Sequence, residues 1–376
     1  MARTFIHKLL QLIPVILIVS FGTLALLELV PGDPAISILG ADARPEEYER
    51  VREQLGLDSP LVERFGSWLS DAASGDLGES VVRPGVSVWS LISSRLPVTI
   101  QITVMALGLA LLISIPLGVV AASRAGSRFD RSVSTITSGL ISIPQFVAGL
   151  LIVQLFVFNP GIPRAALAGL VVSGGVWVLA SGVNAGRRSP KGSGSWYPIL
   201  GGLILAAIGV VVYAWWPSFP RQGFARLTGE DGVGENLRTM FLPALTVALS
   251  EIAVFTRLLR SDMISTLQED YILAATAQGK PLWRILLFDA LRPSSFSLMT
   301  VAGVSLGRLV GGTVIVETIF NLPGMGRLII QDGVIVNDFP VVQGGVLVIA
   351  VFYVVLNALV DISYAALDPR IRRATH

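Results

Sequence analysis

Apolar residues in this chain come in long unbroken runs, separated by polar stretches rich in charge, Pro or Gly. A hydrocarbon core about 30 Å thick is crossed by about 20 helical residues, which satisfy their own backbone hydrogen bonds on the way. Eight runs meet that measure: 9–30, 96–122, 133–158, 165–183, 197–216, 241–258, 296–319 and 341–366. The pattern predicts an all-α polytopic membrane protein.

The first run follows Arg3 and Lys8, as a secretory signal would. It is too long for an h-region and ends in Val30, Pro31, Gly32 and Asp33 without a small-residue cleavage site, so it reads as a retained helix. Runs four and five read as a two-helix hairpin inserted into a six-helix core, joined by the basic turn "NAGRRSPKGSGSW". Trp196 and Tyr197 at one end of the fifth run, and Trp215 and Trp216 at the other, sit as headgroup-level aromatic belts do. Neither run contains a charge, so both read as peripheral helices without a transport role.

Basic residues set the orientation, because Lys and Arg flanking spans stay on the cytoplasmic side. Placing both termini inside puts every lysine of the chain, Lys8, Lys191 and Lys280, on that side, with the arginines of 124–131, 257–292 and 370–373. Most of the acids then lie outside, the larger part of those between Asp33 and Glu79. The predicted order is a first helix (1–30), an extracytoplasmic cap (31–95), helices two and three (96–158), and the hairpin with an external loop (159–240). A core follows (241–376), with a cytoplasmic loop at 260–295 and the last two helices.

Composition narrows the chemistry. Of 376 residues, 52% are hydrophobic and 14% charged, against about 25% charged in an ordinary soluble domain. The 28 basic and 26 acidic residues nearly balance, which gives no basic face for nucleic acid. With no Cys, and with His7 and His376 at opposite ends, neither a disulfide framework nor a metal site is expected. No Ser/His or paired-carboxylate arrangement appears in the spans, so the chain does not read as an intramembrane enzyme.

The most informative polar segment is the cytoplasmic "RSDMISTLQEDYILAATAQGKPLWRILLFDALRPSS". Good helix formers over 261–278 end at Gly279, Lys280 and Pro281, and a second amphipathic stretch follows over 282–291. Two short helices with a Gly hinge make a rigid projection beneath the membrane. The chain's Gly-Lys pair, Gly279 and Lys280, is followed by Pro281 and lacks the upstream glycine of a P-loop. Energy for any pumping must therefore come from elsewhere.

That segment resembles the EAA loop of ABC importer permeases, in the form carried by the dipeptide, oligopeptide and nickel permease family. "LLELVPGDP", "EQLGLDSPLVERFGSWLSDAASGDLGES", "SRLPVTIQIT", "SIPQFVAGLL", "FLPALTVAL", "GGTVIVETIFNLPGMGRLI" and "ALVDISYAALDPRIR" are similar to the same family, so the likeness covers most of the chain outside the hairpin. The resemblance implies a non-catalytic permease subunit in the cytoplasmic (inner) membrane. Its implied partners are a second, homologous permease, two cytoplasmic ATPases and an extracytoplasmic binding protein. ATP and Mg would be bound by the ATPases, with no cofactor in this chain. Asp270, Tyr271, Ala274, Ala275, Gly279, Leu282 and Ile285 would dock on the ATPase, and Leu273 departs from the acidic residue the pattern expects. Di- and oligopeptides lead as substrates, and nickel chelates or glutathione stay open.

Two charges stand deep inside spans, far from either end. Arg308 lies roughly 16 Å along its helix from the ends at 1.5 Å per residue, and Glu251 sits at similar depth on an antiparallel neighbour. They are expected to pair, facing the translocation path or a subunit interface, and they would be the coupling charges of a self-sufficient secondary transporter or channel, the alternative reading. Gly303, Gly307 and Gly311 form a small-residue ladder for helix packing. Gln101, Gln145, Gln154 and Asn357 are further candidates to line a wet pathway. Asn321, Pro323 and Gly324 read as a gate-like turn at the outer mouth.

Overall fold

A computed structural model describes residues 13–14, 16–26, 29, 35, 44–188, 197–227 and 232–367. The start of the first run, the turn at 189–196 with Trp196, and the basic tail at 368–376 lie outside the described residues. Among the described residues, four helices are long and apolar enough to cross a membrane, and a bent pair adds a fifth candidate. The chain divides into two compact units, residues 1–146 with 243–376 and residues 147–242.

In the first unit, α1 (Ile16–Leu26) precedes a small helical cap. α2 (Pro45–Leu55) starts with Pro at its first position and Glu46 and Glu47 in its first turn, where acids favour the helix dipole. α3 (Leu61–Ala73) follows it. Trp68 and Ala72 of α3 pack on a core of Leu77, Val88, Ile92, Met325, Leu328, Val341 and Leu347. Polar contacts tie the cap down as well. Asp338 accepts from the Ser80 hydroxyl and from the Val81 N–H at 3.2 Å, and Arg83 reaches Asp332 at 2.9 Å.

α4 (Val88–Ser123) is a span of 36 residues. α5 (Arg128–Ser142) is capped by the Ser127 hydroxyl, which accepts from the Asp130 N–H at 3.2 Å. The run at 133–158, expected as one straight helix, is broken: α5 and the next helix, α6 (Gln145–Val153, extended by a π-turn to Phe158), meet at 106°. The cause is Pro144. It forces Ile143 into the extended region, at φ −81° and ψ 119°, and removes the N–H that would continue the helix. Apolar residues on both sides of the break hid it from a count of hydrophobicity.

In the second unit, α7 (Gly161–Arg188) and α8 (Tyr197–Ala214) form the expected hairpin. The contact is close: a Cβ on Gly175 would lie 2.7 Å from the Gly202 carbonyl oxygen.

α9 (Gly232–Thr266) has two-thirds of its apolar window, 67%, buried within the chain, with Phe255, Leu259 and Met263 fully covered. α10 (Asp270–Ala277) is the first short helix expected in the 260–295 loop. The expected second short helix over 282–291 does not stand apart. It is the beginning of α11 (Leu282–Ile319), which absorbs one π-turn at Ile285–Ala290 and runs on as the next span, 38 residues in all. Pro293, Ser294 and Ser295 follow Arg292 without ending it, and both serine hydroxyls donate back to carbonyls of the preceding turn, Ala290 and Arg292, at 2.9 and 2.8 Å. α12 (Met325–Ile329) and a π-turn over Ile330–Val334 lead to α13 (Phe339–Leu367).

Candidate functional site: a coupling projection, an intramembrane ion pair and an outer clamp

α10 leaves α9 through a tight turn and ends at Gly279, whose φ of +75° is the left-handed conformation that side chains resist. The Gly279 and Lys280 N–H groups close the helix onto the carbonyls of Thr276 and Ala275, at 3.0 and 3.2 Å. Pro281 is extended and starts α11. Lys280 Nζ lies 3.2 Å from Asp289 Oδ2, and the Tyr271 hydroxyl donates to the Asp289 carbonyl at 3.4 Å, so both ends of α10 are tied to the first turns of α11. Partial burial, with Glu269 and Asp289 nearby, pushes the Tyr271 hydroxyl above its ordinary pKa.

Two of the proposed docking residues face inward: Ala275 and Ile285 are 5% and 3% exposed and hold α10 against α11. Asp270, Tyr271, Ala274, Gly279 and Leu282 are exposed. Beside them the structure presents Leu273, named above only as a departure from the motif, with Trp283 and Phe288, which the motif reading did not single out, each at least 60% exposed. Trp283 and Phe288 meet edge to face at 6.3 Å. Their signal was in the sequence as large apolar residues on the wrong side of an amphipathic helix.

In mid-span the structure brings Glu251 of α9 and Arg308 of α11 together. Arg308 Nη2 donates to Glu251 Oε1 at 2.6 Å, and the Ser305 hydroxyl donates to Oε2 at 2.7 Å. Glu251 is 2% exposed, whereas the Arg308 side chain is 65% exposed. Arg308 lies in an outward stripe of α11 with Thr300, Val304, Gly311 and Ile315. The glycine ladder divides accordingly. Gly307 is packed on the Tyr353 ring of α13, while a Cβ on Gly311 would meet open space. Gln145 lies across from α11, 3.4 Å from where a Cβ on Gly312 would be. Gln101 is half-buried on α4 and donates to Met105 Sδ at 3.7 Å.

At the far end of α11 is a residue that sequence reasoning quoted but did not single out. Glu317 is fully buried. Its Oε1 accepts from the Thr99 hydroxyl at 2.6 Å, and its Oε2 accepts from the N–H groups of Gly326 and Arg327 at 2.8 and 3.2 Å. Thr99 Oγ1 also accepts from the Met325 N–H at 2.8 Å. The carboxylate thus caps α12 and clamps it to α4 and α11. The turn expected as a gate serves this clamp: Asn321 takes the left-handed conformation at φ 54°, and Pro323 leads into Gly324. Any Cβ on Gly324 would collide with the Glu317 carboxyl group. The signal available in the sequence was an acid at the end of an apolar run followed, a few residues later, by Pro and two glycines.

Residues 114–373 match the family model described as the binding-protein-dependent transport system inner membrane component, and residues 1–103 match the N-terminal model of the same components. A Brucella abortus protein described as a peptide transport system permease is 34% identical over 372 residues, covering 99% of each chain. The dipeptide transport system permease protein DppB of Alkalihalophilus pseudofirmus is 30% identical, over 97% of this chain and 98% of its own. The oligopeptide transport system permease protein AppB of Bacillus subtilis is 30% identical over 99% of each. The matches to these relatives span nearly the whole of each chain.

Proposed function

Because the chain belongs to the family of binding-protein-dependent transport system inner membrane components, as a multi-pass membrane protein, we propose that it is the permease through which an ATP-driven importer passes di- and oligopeptides. On this reading it works beside a second, homologous permease, two cytoplasmic ATPases that bind ATP and Mg, and an extracytoplasmic binding protein that selects the cargo. The substrate class follows what the relatives are named for. Family membership favours this over a self-sufficient transporter. Eight spans with both termini inside, the cap outside and the loop at 260–295 inside remain the topology that the basic clusters favour.

One observation carries the mechanism: α11 is a single helix from Leu282 to Ile319. The exposed Trp283, the ion-paired Arg308 and the clamping Glu317 therefore ride on one element. At 1.5 Å per residue, Trp283 and Arg308 are roughly 38 Å apart along it. Leu273, Leu282, Trp283 and Phe288 form an apolar projection beneath the membrane that fits a cleft on an ATPase, with Asp270 and Tyr271 at its edge. α10 is pinned to α11, so a force on the projection reaches the span instead of being lost in a flexible loop.

The middle of the same helix faces the cargo. An arginine so exposed at this depth is costly against lipid, so its stripe lines a water-filled path. Glu251 and Ser305 hold the guanidinium in place while leaving most of it accessible. Gln145, beside the same helix, adds a polar group to that path, and Gln101 does so from α4. At the outer end Asn321, Pro323 and Gly324 shape the turn that opens or closes it.

Co-purification tests the coupling. The tagged chain is expected to bring down ATP-hydrolysing subunits and a second permease. Trp283→Ala with Phe288→Ala should release the ATPases while the chain stays folded and membrane-inserted. Retention of full ATPase activity by that variant would sink the assignment of the projection.

A further inference from the structure

Residues 147–242 hold a small cavity that peptide transport leaves unused. Its volume is about 190 Å³, and its walls include Phe156, Pro160, Arg164, Trp216, Ser218 and Phe219, with no carboxylate among its lining residues. Two N–H groups of these walls are buried without an acceptor: Nε of Arg164 and Nε1 of Trp216. A buried donor left unpaired is costly, and two on one cavity call for an oxygen-rich group inside it.

The charge there is also uncompensated. The Arg164 guanidinium rests 3.9 Å from the centre of the Tyr213 ring, which positions the cation without neutralising it. Among the described residues no carboxylate pairs with it. Ser218 accepts from Arg238, whose own carboxylate partner, Glu235, lies 3.0 Å away. The start of the 28-residue α7 adds the positive end of its dipole.

The surroundings are those of a bilayer interface. Tyr213, Trp215 and Trp216 cluster at the end of α8, at the level where aromatic belts sit. Next to the cavity the chain leaves apolar surface open, with Phe158 55%, Ile162 59% and Trp215 84% exposed. We infer that this cavity binds the phosphate of an anionic lipid headgroup, with Arg164 and Trp216 donating to its oxygens and the acyl chains lying along Phe158 and Ile162.

The test uses the full chain in vesicles of phosphatidylcholine doped with a photoactivatable phosphatidylglycerol, with cross-linked peptides mapped by mass spectrometry. Labelling is expected within 155–164 and 213–219. It should fall about tenfold in Arg164→Gln, the loss of one hydrogen bond to a charged group, and recover in Arg164→Lys. Trp216→Phe should weaken it without altering the melting temperature. A photoactivatable diacylglycerol, which has the chains but no phosphate, should label poorly, and added inorganic phosphate should not displace the lipid. Equal labelling of Arg164→Gln, or equal labelling by the diacylglycerol, would reduce the site to greasy surface. Displacement by inorganic phosphate would make it a site for the free anion and overturn the lipid assignment. Should Arg164→Gln fail to fold, Arg164→Lys and Trp216→Phe decide the matter.

Discussion

Glu251 and Glu317 are both buried in the same unit, 2% and 0% exposed, and both bear on α11, yet their surroundings differ in kind. Glu251 faces a cation that is itself mostly open to the outside of the chain. Glu317 meets a hydroxyl and two backbone N–H groups and no cation. A buried carboxylate satisfied by neutral donors holds pieces of backbone together. One that anchors an exposed arginine presents a charge to something beyond the chain. On the proposed function, the comparison separates a residue that builds the turn after α11 from a pair that would meet the cargo.

The largest effect is expected at the clamp. Glu317→Ala strands the Thr99 hydroxyl and the N–H groups of Gly326 and Arg327, which should cost about 3 kcal/mol or more. Thermal unfolding of the purified chain should shift strongly downward, with transport lost as a consequence. Gly324→Ala attacks the same clamp from the other side. Its methyl group cannot coexist with the carboxyl group where it stands, and overpacking of this kind costs about 1–3 kcal/mol, to be read from the same melting curves.

At the pair the pattern should invert. Arg308→Gln should lower the melting temperature less than Glu317→Ala does, because Ser305 still donates to Glu251, but lower peptide uptake about tenfold, equivalent to about 1.4 kcal/mol in the barrier. If it melts like Glu317→Ala, the pair is a structural tie and the comparison fails. The smallest effect belongs to Arg308→Lys. It keeps the charge but loses the planar fork, so uptake measured in proteoliposomes should fall by no more than about threefold. Exchange of the two residues, Glu251→Arg with Arg308→Glu, sharpens the point: a pair that merely ties helices recovers with the swap, whereas a charge read by cargo does not.

Much of this was legible in the sequence because a bilayer imposes a simple length rule on helices. The long runs at 96–122, 241–258, 296–319 and 341–366 each fall on a long apolar helix. The depth argument for Glu251 and Arg308 also placed two residues that touch, since rise per residue converts position into height. What was not legible depends on direction. Pro144 turns the chain through 106° between the amphipathic end of α5 and the apolar α6, and a hydropathy count over 133–158 carries no direction. The continuity of α11 past Arg292 was hidden by the amphipathic pattern of its first turns, which resembles a separate helix. Glu317 escaped notice because its partners, Thr99 and the 325–327 backbone, are neutral or distant in sequence.

The central claim is that the Arg308 stripe of α11 faces water inside the working complex. The chain has no cysteine, so single cysteines can be placed on that stripe without further change. Val304→Cys, Gly311→Cys and Ile315→Cys, in the complex with its partners, would be treated with a membrane-impermeant maleimide with and without ATP. The account predicts labelling at all three, with rates that change on ATP addition. Protection of all three in both states would mean that the stripe is sealed by lipid or protein, and would contradict it.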